Sequence, residues 1–271
     1  MAQPVVTGTR VSSPVERLLR RDRLIVCLAL AAVTLLAWLY LGRMAAGMRA
    51  AASEADMHAA MGMTEMAAWS TADVVALFLM WTVMMAGMML PSAAPVILLV
   101  IGTYRRRGGR HARTATAAFA GGYLAAWTGF SLVAALAQAA LHAAALMSSG
   151  MATRSSLLTG AIFLGAGAYQ WAPLKRACLT RCRSPLQFLS EEWREGLAGA
   201  FRLGLRHGLF CVGCCWGLMA LLFAAGVMNL LWVAAIGAFV LAEKVLPRGP
   251  LIGRLAGIAS LAWGTYLLIR P

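Results

Sequence analysis

Long apolar runs alternate with short polar segments along most of the chain. Seven runs approach the roughly 20 residues that an α-helix needs to cross about 30 Å of hydrocarbon. The pattern predicts an all-α polytopic membrane protein with about seven transmembrane helices in a single membrane domain over residues 24–271, after a basic cytoplasmic segment over residues 1–23. The runs cover residues 24–42, 73–101, 115–140, 155–174, 208–225, 229–245 and 251–269.

Two prolines interrupt the second run. Pro91 and Pro95 lack the amide hydrogen that the interior of a helix uses. We therefore expect this helix to kink or break in its last third. Such prolines are tolerated in membrane helices where neighbouring groups satisfy the freed carbonyls.

A different pattern occupies residues 175–206, between the fourth and fifth runs. Ser184 is a suitable N-cap, and Pro185 suits the first position of a helix. Large apolar residues then recur every four positions, with charged residues off that stripe. The pattern predicts one amphipathic helix on the cytoplasmic membrane surface, with an apolar stripe of Leu189, Trp193, Leu197 and Phe201.

Composition agrees with the membrane class, since 61% of residues are hydrophobic and 13% are charged. Soluble domains carry about a quarter charged residues. The net charge of +14 would suit nucleic acid, but the basic residues lie in short loops between apolar runs. There they act as topology signals and contact anionic lipid. We expect a lipid bilayer as the surroundings and neither nucleic acid nor a nucleotide as a partner, because no phosphate-binding loop is present.

The basic residues also predict an orientation. Twenty of the 24 Lys and Arg residues fall on one side of the predicted membrane. Positive residues concentrate in cytoplasmic loops. We therefore expect a bacterial inner membrane protein with a cytoplasmic N-terminus and a periplasmic C-terminus. The four basic residues on the other side are Arg43, Arg49, Arg154 and Arg270.

The fifth run contains soft metal ligands in the stretch RHGLFCVGCCWGLM, residues 206–219. At about 100° per residue, four of these side chains share one arc of about 100°. They extend over about 12 Å of the helix axis, so another element must complete any shell around one ion. This run places them near the cytoplasmic surface and just inside it. The four residues are His207, Cys211, Cys214 and Cys215.

Gly213 and Gly217 lie on a separate face of the same helix. Two small residues four positions apart allow close contact between helices. The fifth helix is therefore predicted to carry its ligands and its closest packing on different faces.

A second cysteine pair lies on the same side, in LKRACLTRC. We expect Cys178 and Cys182 to supply the remaining ligands, with their thiol pKa lowered by the surrounding Lys and Arg residues. Thiolates facing the reducing cytosol select Cu(I), Zn(II) or iron–sulfur clusters. Inert packing is the alternative, because free cysteine is common in apolar helices. Cys27 stands alone in the first run and is interpreted as a small buried hydrophobic residue.

Methionines recur in the second run at Met80, Met84 and Met88. Flexible thioethers often fill gaps in a core, but the same spacing would also line a path for Cu(I). The outer loop over residues 43–71 adds the methionine-rich stretch MHAAMGMTEM on the side from which copper would arrive. Both interpretations of the methionines remain open.

Glu243 and Lys244 end the sixth run. Ionisable residues inside or at the edge of a membrane are paired or functional. A lysine that extends to the interface is one interpretation. A role of this pair as a metal ligand or proton acceptor is the other, and Glu243 is the candidate ligand.

Several of these stretches together resemble a bacterial family of predicted metal-binding integral membrane proteins, known as domain of unknown function 2182. The stretches are MWTVMMAGMMLPSAAP, YQWAPLK with CLTRCRSP, RHGLFCVGCCWGLMALLFAAGVMN and EKVLP, within about residues 70–250. The resemblance implies a metal site but no reaction or substrate. The motif positions that it implies are Met84, Met88, Pro91, Gln170, Cys178, Cys182, His207, Cys211, Cys214, Cys215 and Glu243.

The combined pattern predicts a protein that binds a soft transition metal for transfer, transport or delivery. Cu(I) is the favoured ion and zinc the alternative, with a metal-donor or metal-acceptor protein as partner. The fifth-run cysteines and His207 form the primary site, Cys178 and Cys182 a relay pair, and Met84 and Met88 the approach. A membrane thiol–disulfide electron carrier and an assembly subunit without chemistry are the competing hypotheses. The favoured hypothesis does not include an enzyme activity.

Overall fold

The computed structural model describes residues 14–60, 69–108, 111–147, 151–153 and 155–269. Over these ranges the chain forms α-helices and no β-sheet, which confirms the predicted all-α class. The helices are α1 (Pro14–Ala60), α2 (Thr71–Arg106), α3 (Ala112–Ala143), α4 (Ser156–Tyr169), α5 (Pro173–Arg183), α6 (Pro185–Glu192), α7 (Gly196–Ala225), α8 (Leu230–Val245) and α9 (Gly249–Ile269).

Five of the helical segments are long and apolar enough to cross a membrane. They are α2, α3, α7, α9 and the Leu18–Met48 part of α1. The fourth and sixth predicted spans correspond to α4, with 14 residues, and α8, with 16 residues. At 1.5 Å per residue these helices are about 21 and 24 Å long, less than the roughly 30 Å of a hydrocarbon core. The number of seven spans therefore stays a prediction.

Helix α2 continues through both of its prolines, so the predicted break is wrong, while a kink stays a prediction. The hydroxyl groups of Ser92 and Tyr123 donate hydrogen bonds to the carbonyl oxygen of Met89, at 2.9 and 3.1 Å. Side chains of α2 and α3 thus contact the backbone beside Pro91. The carbonyls that lose their amide donor to the two prolines are those of Gly87 and Pro91, so these bonds support the helix next to the prolines without replacing the missing ones.

The predicted single amphipathic helix is also wrong, because the chain turns between α6 and α7. Trp193 has an extended backbone, and Gly196 has a φ of 78°, which favours glycine. The indole of Trp193 packs on the Tyr104 ring, with centroids 4.7 Å apart, and the Arg107 guanidinium lies 4.8 Å from its centre. This contact with the end of α2 holds the turn in place.

The turn divides the predicted apolar stripe. Leu189 of α6 is buried, whereas Leu197 and Phe201 of α7 are exposed. Ser184 precedes α6, but its side chain makes no capping hydrogen bond. The four stripe residues therefore do not share one helix face.

Glycines bring α3 and α7 into backbone contact. A Cβ atom on Gly204 would lie 1.9 Å from the carbonyl oxygen of Phe119, and one on Gly122 would lie 2.0 Å from that of Phe201. No other residue fits at either position without a shift of backbone. This contact fixes α7 against α3 ahead of the cysteine stretch.

Asp22 joins the first three helices at one end of the bundle. Its buried carboxylate accepts hydrogen bonds from the guanidinium groups of Arg105 in α2 and Arg113 in α3, the latter at 2.8 Å. Because the two arginines belong to different helices, Asp22 links α1 to both α2 and α3. The apolar pattern of the first run did not reveal this contact.

Candidate metal site

Four helices meet around the thiol of Cys211. This residue lies at the middle of α7 and is fully buried. Lys244 of α8 donates a hydrogen bond from Nζ to the Cys211 sulfur at 2.8 Å and another to the Ser92 hydroxyl of α2 at 3.0 Å. The Tyr123 hydroxyl of α3 lies 3.1 Å from the same sulfur. Cys211 is therefore the centre of a polar junction inside an apolar core.

Three more thiols lie beside Cys211. Cys214 and Cys215 donate hydrogen bonds to the Cys211 carbonyl oxygen, at 3.1 and 2.9 Å. Cys182 of α5 lies near Cys214 in the same buried core. These four buried residues, Cys182, Cys211, Cys214 and Cys215, are called the thiol cluster below.

Cys178 lies against the glycine face of α7. A Cβ atom on Gly213 would be 2.7 Å from the Cys178 sulfur, and one on Gly217 would be 3.0 Å from the Tyr169 ring. The predicted close packing at these two glycines is confirmed. The same geometry places Cys178 on a different side of α7 from the cysteine arc.

The thiol pKa values in α5 differ from the expectation. Burial raises the pKa of Cys178, and the neighbouring Cys214 adds to this rise. The neighbouring Cys214 thiol, together with burial, holds the pKa of Cys182 well above its usual value. The prediction that nearby cationic residues lower both values was wrong.

The cationic residues of α5 have other partners, which explains this outcome. Lys175 pairs with Glu243 of α8 at 2.8 Å, in a buried ion pair. Arg181 pairs with Glu191 of α6. Arg183 donates hydrogen bonds to carbonyl oxygens at the end of α8. These ion pairs and hydrogen bonds attach α5 to α6 and α8.

His207 is buried inside the helix bundle, and its predicted level at the cytoplasmic membrane surface stays a prediction. Its ring lies among the rings of Phe188, Tyr123 and Phe119, with centroids 5.1, 5.8 and 6.0 Å away. Helix α7 begins at Gly196, about three turns earlier than the predicted span. Within the described part of the chain, the buried Nδ1 of His207 has no hydrogen-bond partner, which keeps it available as a ligand atom.

Met84 and Met88 are buried in the core that also contains the thiol cluster. Met88 faces α8, where a Cβ atom on Gly237 would lie 3.6 Å from the Met88 side chain. Packing and a thioether path would both give this arrangement. Residues 61–68 of the methionine-rich outer loop lie outside the described residues, and the preceding part of that loop, to Ala60, is the end of α1.

Glu243 binds Lys175 through Oε2 rather than contacting a cysteine by a hydrogen bond. Its second carboxylate oxygen, Oε1, is buried next to Gly253 and is unpartnered within the part of the chain that is described. The structure therefore brings the thiol cluster together, with His207 one turn away along α7, and engages Glu243 in a separate pair.

The sequence interpretation missed Lys244 as part of the site. Its side chain does not extend to an interface, since only 9% of the residue is exposed and its ammonium faces Cys211. A charged residue within an apolar run was the available signal. Tyr123 and Ser92 complete the junction; Ser92 lies inside the methionine-rich motif but was not singled out, and no motif pointed to Tyr123.

The chemistry of the junction is that of a soft-ligand site with a fixed positive charge. Thiolates bind soft transition metals in preference to hard ones. Among the described residues, no group of three His, Cys, Asp or Glu side chains has an arrangement that could hold a metal ion. Any ion at the thiol cluster would therefore be held by fewer than three of these side chains in the observed conformation.

Residues 78–267 match the model of a family described as copper chaperone. The matched segment contains every residue of the thiol cluster and Lys244. The expected resemblance to a metal-related family is confirmed at this level, while membership of domain of unknown function 2182 stays a prediction. No curated protein and no solved structure matches the chain.

Proposed function

The chain belongs to this copper chaperone family, and we propose that it is an integral membrane protein that binds Cu(I) and delivers it to an acceptor protein. The thiol cluster carries this proposal. It lies inside the segment that the family shares, and it joins cysteines of α5 and α7 at one buried point. A set of sulfur ligands in an apolar core suits a soft monovalent ion.

Cu(I) fits the donor set better than Zn(II). Zinc sites in proteins use three or four protein ligands in tetrahedral geometry. Cu(I) is stable with two thiolates in a linear arrangement. Since the described residues offer no group of three candidate side chains, a two-coordinate ion is the better match.

We assign the two primary ligands to a pair among Cys211, Cys214 and Cys215, with His207 one turn away on the same helix. Cys182 lies near Cys214 and belongs to α5, which is a short helix outside the long apolar ones. A ligand on a separate helix can stay bound to the ion when the ion dissociates from α7. We therefore propose that Cys182, followed by Cys178, passes copper to the acceptor.

Met84 and Met88 of α2 would line the approach to the cluster, because thioethers bind Cu(I) weakly enough to release it. Both side chains are buried in the same core as the cysteines. Glu243 would contribute only after separation from Lys175. These three roles extend the proposal beyond the primary ligands.

We further propose seven membrane spans in a bacterial inner membrane, with the N-terminus in the cytoplasm and the C-terminus in the periplasm. Asp22, Arg105 and Arg113 lie together at one end of the helix bundle. The same end holds Arg107 against Trp193. Such a concentration of arginine supports a cytoplasmic location for this end. The partners are lipid and a donor or acceptor of copper, with no nucleic acid or nucleotide.

Metal analysis of the purified protein tests the proposal. The wild type and the triple variant Cys211→Ser, Cys214→Ser, Cys215→Ser are loaded with Cu(I) without oxygen, and bound copper is counted by mass spectrometry. We expect about one copper per wild-type chain and nearly none in the triple variant. Cys27→Ser is the control, because Cys27 is an exposed residue of α1 and not the buried one that its sequence suggested. Equal copper in the wild type and the triple variant would overturn the assignment.

A thiol–disulfide carrier would show a different result. Cys182 and Cys214 are neighbours, so they could form a disulfide in such a carrier. Alkylation of the cysteine thiols inside cells, before the protein is purified, distinguishes the two functions. A copper carrier leaves the six cysteines reduced, whereas an electron carrier accumulates an oxidised fraction.

A further inference from the structure

Lys244 carries a positive charge, and no carboxylate of the described residues forms an ion pair with it. Its ammonium group donates to the Ser92 hydroxyl, which is neutral, and to the Cys211 sulfur. A buried charge is costly unless an opposite charge lies beside it. Of its two hydrogen-bond partners, only the sulfur can supply that opposite charge.

The nearby buried charges do not change this balance. Glu243 is adjacent to Lys244 in sequence, but its carboxylate already pairs with Lys175 at 2.8 Å. That pair is neutral as a unit. One positive charge therefore remains to be balanced by the thiol cluster, whatever ion the cluster holds.

We propose that Lys244 determines the specificity of this site and selects soft monovalent ions over divalent ones. The inference rests on the proposed function, since it assumes that the thiol cluster binds metal. Two thiolates around Cu(I) carry a net charge of −1, which the Lys244 ammonium neutralises. Two thiolates around Zn(II) or Cd(II) carry no net charge, so the ammonium would remain uncompensated in a medium of low dielectric constant.

The wild-type protein gives the first test, with a pair of soft ions that differ in charge. The purified chain is dialysed against Ag(I) or Cd(II) without oxygen, in detergent, and the bound metal is counted. We expect Ag(I) to be retained and to compete with Cu(I), and Cd(II) to be removed by dialysis. Equal retention of Ag(I) and Cd(II) would overturn the inference.

Two substitutions at Lys244 give the second test. Lys244→Met removes the charge and keeps a long flexible chain, while Lys244→Arg keeps the charge. We expect the ratio of bound Ag(I) to bound Cd(II) to fall by about tenfold or more in Lys244→Met, the range seen when groups beside metal ligands are changed. Lys244→Arg should retain most of the wild-type ratio. An unchanged ratio in Lys244→Met would contradict the assignment.

Arg113→Met is the matched control, because it removes a positive charge from the Asp22 contact between α1 and α3. It should leave the ratio unchanged, and a fall as large as that in Lys244→Met would show a general effect of charge. If Lys244→Met does not fold, Lys244→Gln is the second neutral variant, and an unchanged ratio in it would contradict the assignment. A wild type that retains neither copper nor silver would refute the proposed function itself. If the wild type retains copper and silver, but Lys244→Met leaves the ratio of bound Ag(I) to bound Cd(II) unchanged, only the role of Lys244 is refuted.

Discussion

The ammonium group of Lys244 lies 2.8 Å from the sulfur of Cys211, inside the helix bundle. The two residues belong to α8 and α7, and Ser92 of α2 shares the same ammonium at 3.0 Å. Because the contact joins three helices, any change in the charge at Cys211 also affects how those helices are held together. Under the proposed function, metal binding would therefore be linked to helix packing at this point.

Loss of the Cys211 sulfur should weaken copper binding most. Serine offers a hard oxygen in place of a soft sulfur, and Cu(I) prefers sulfur ligands. We expect Cys211→Ser to lower the affinity for Cu(I) by at least about tenfold, by analogy with losses at groups next to metal ligands. Competition with a chromophoric Cu(I) chelator measures this affinity. A Cys211→Ser affinity equal to that of Cys27→Ser would exclude Cys211 as a ligand.

Gly204→Ala should destabilise the contact between α3 and α7. The added Cβ would lie 1.9 Å from the Phe119 carbonyl oxygen, so the helices must separate. We expect a loss of about 1–3 kcal/mol in the free energy of unfolding, as for other overpacked sites. Thermal unfolding in detergent measures it. Gly121→Ala is the control, since nothing lies within 4 Å of its Cβ position, and an equal effect of the two substitutions would contradict the close contact.

Asp22→Asn should loosen the attachment of α1 to α2 and α3. The carboxylate of Asp22 is buried and has two arginine partners, Arg105 and Arg113. Breaking a buried pair costs more than breaking an exposed one, although the partly exposed arginines reduce the effect here. We expect a loss of about 1–3 kcal/mol in the free energy of unfolding, measured by denaturant in detergent.

Glu195→Gln provides the comparison for Asp22→Asn. The Glu195 side chain is 82% exposed and lies 3.4 Å from Arg107. Exposed pairs of this kind contribute little to stability, so we expect a change below about 0.5 kcal/mol. If Glu195→Gln lowers the free energy of unfolding as much as Asp22→Asn does, the buried Asp22 contact does not stabilise the packing of α1 on α2 and α3.

Alkylation of Cys178 should be slow at neutral pH. Burial raises the pKa of its thiol, so less thiolate is present at a given pH than in an unfolded chain. We expect its reaction with iodoacetamide to increase only above the usual thiol midpoint of about 8.5. Mass spectrometry of peptides labelled from pH 6 to 10 measures the profile. The same peptide in denatured protein is the reference. A profile shifted to lower pH in the folded protein would instead indicate that the nearby cationic residues lower the pKa of Cys178.

Local patterns predicted the helices and the arc of cysteines on α7. Apolar runs depend on neighbouring residues only, and helical spacing alone places Cys211, Cys214 and Cys215 together. The start of α7 was missed because Arg202 and Arg206 reduce the local hydropathy, although the helix continues through them. Contact with α3 at Gly204 supports this extra length. The burial of His207 follows from it.

Contacts between distant parts of the chain could not be read from the pattern. The turn between α6 and α7 depends on Trp193 meeting Tyr104, which is 89 positions earlier. The pKa values of the α5 thiols depend on where the nearby cationic groups find partners, and Lys175 finds Glu243 in α8. Lys244 could be identified as unusual in an apolar run, but its partner Cys211 is fixed only by the packing of α7 against α8.

X-ray absorption at the copper edge shows which atoms bind the ion. The protein is loaded with Cu(I) and purified without oxygen, and the atoms next to copper are identified from the spectrum. We predict a Cu(I) edge with at least two sulfur neighbours, and loss of sulfur scattering when Cys211, Cys214 and Cys215 are replaced by serine. A first shell of oxygen or nitrogen without sulfur, or a spectrum unchanged by these substitutions, would contradict this prediction.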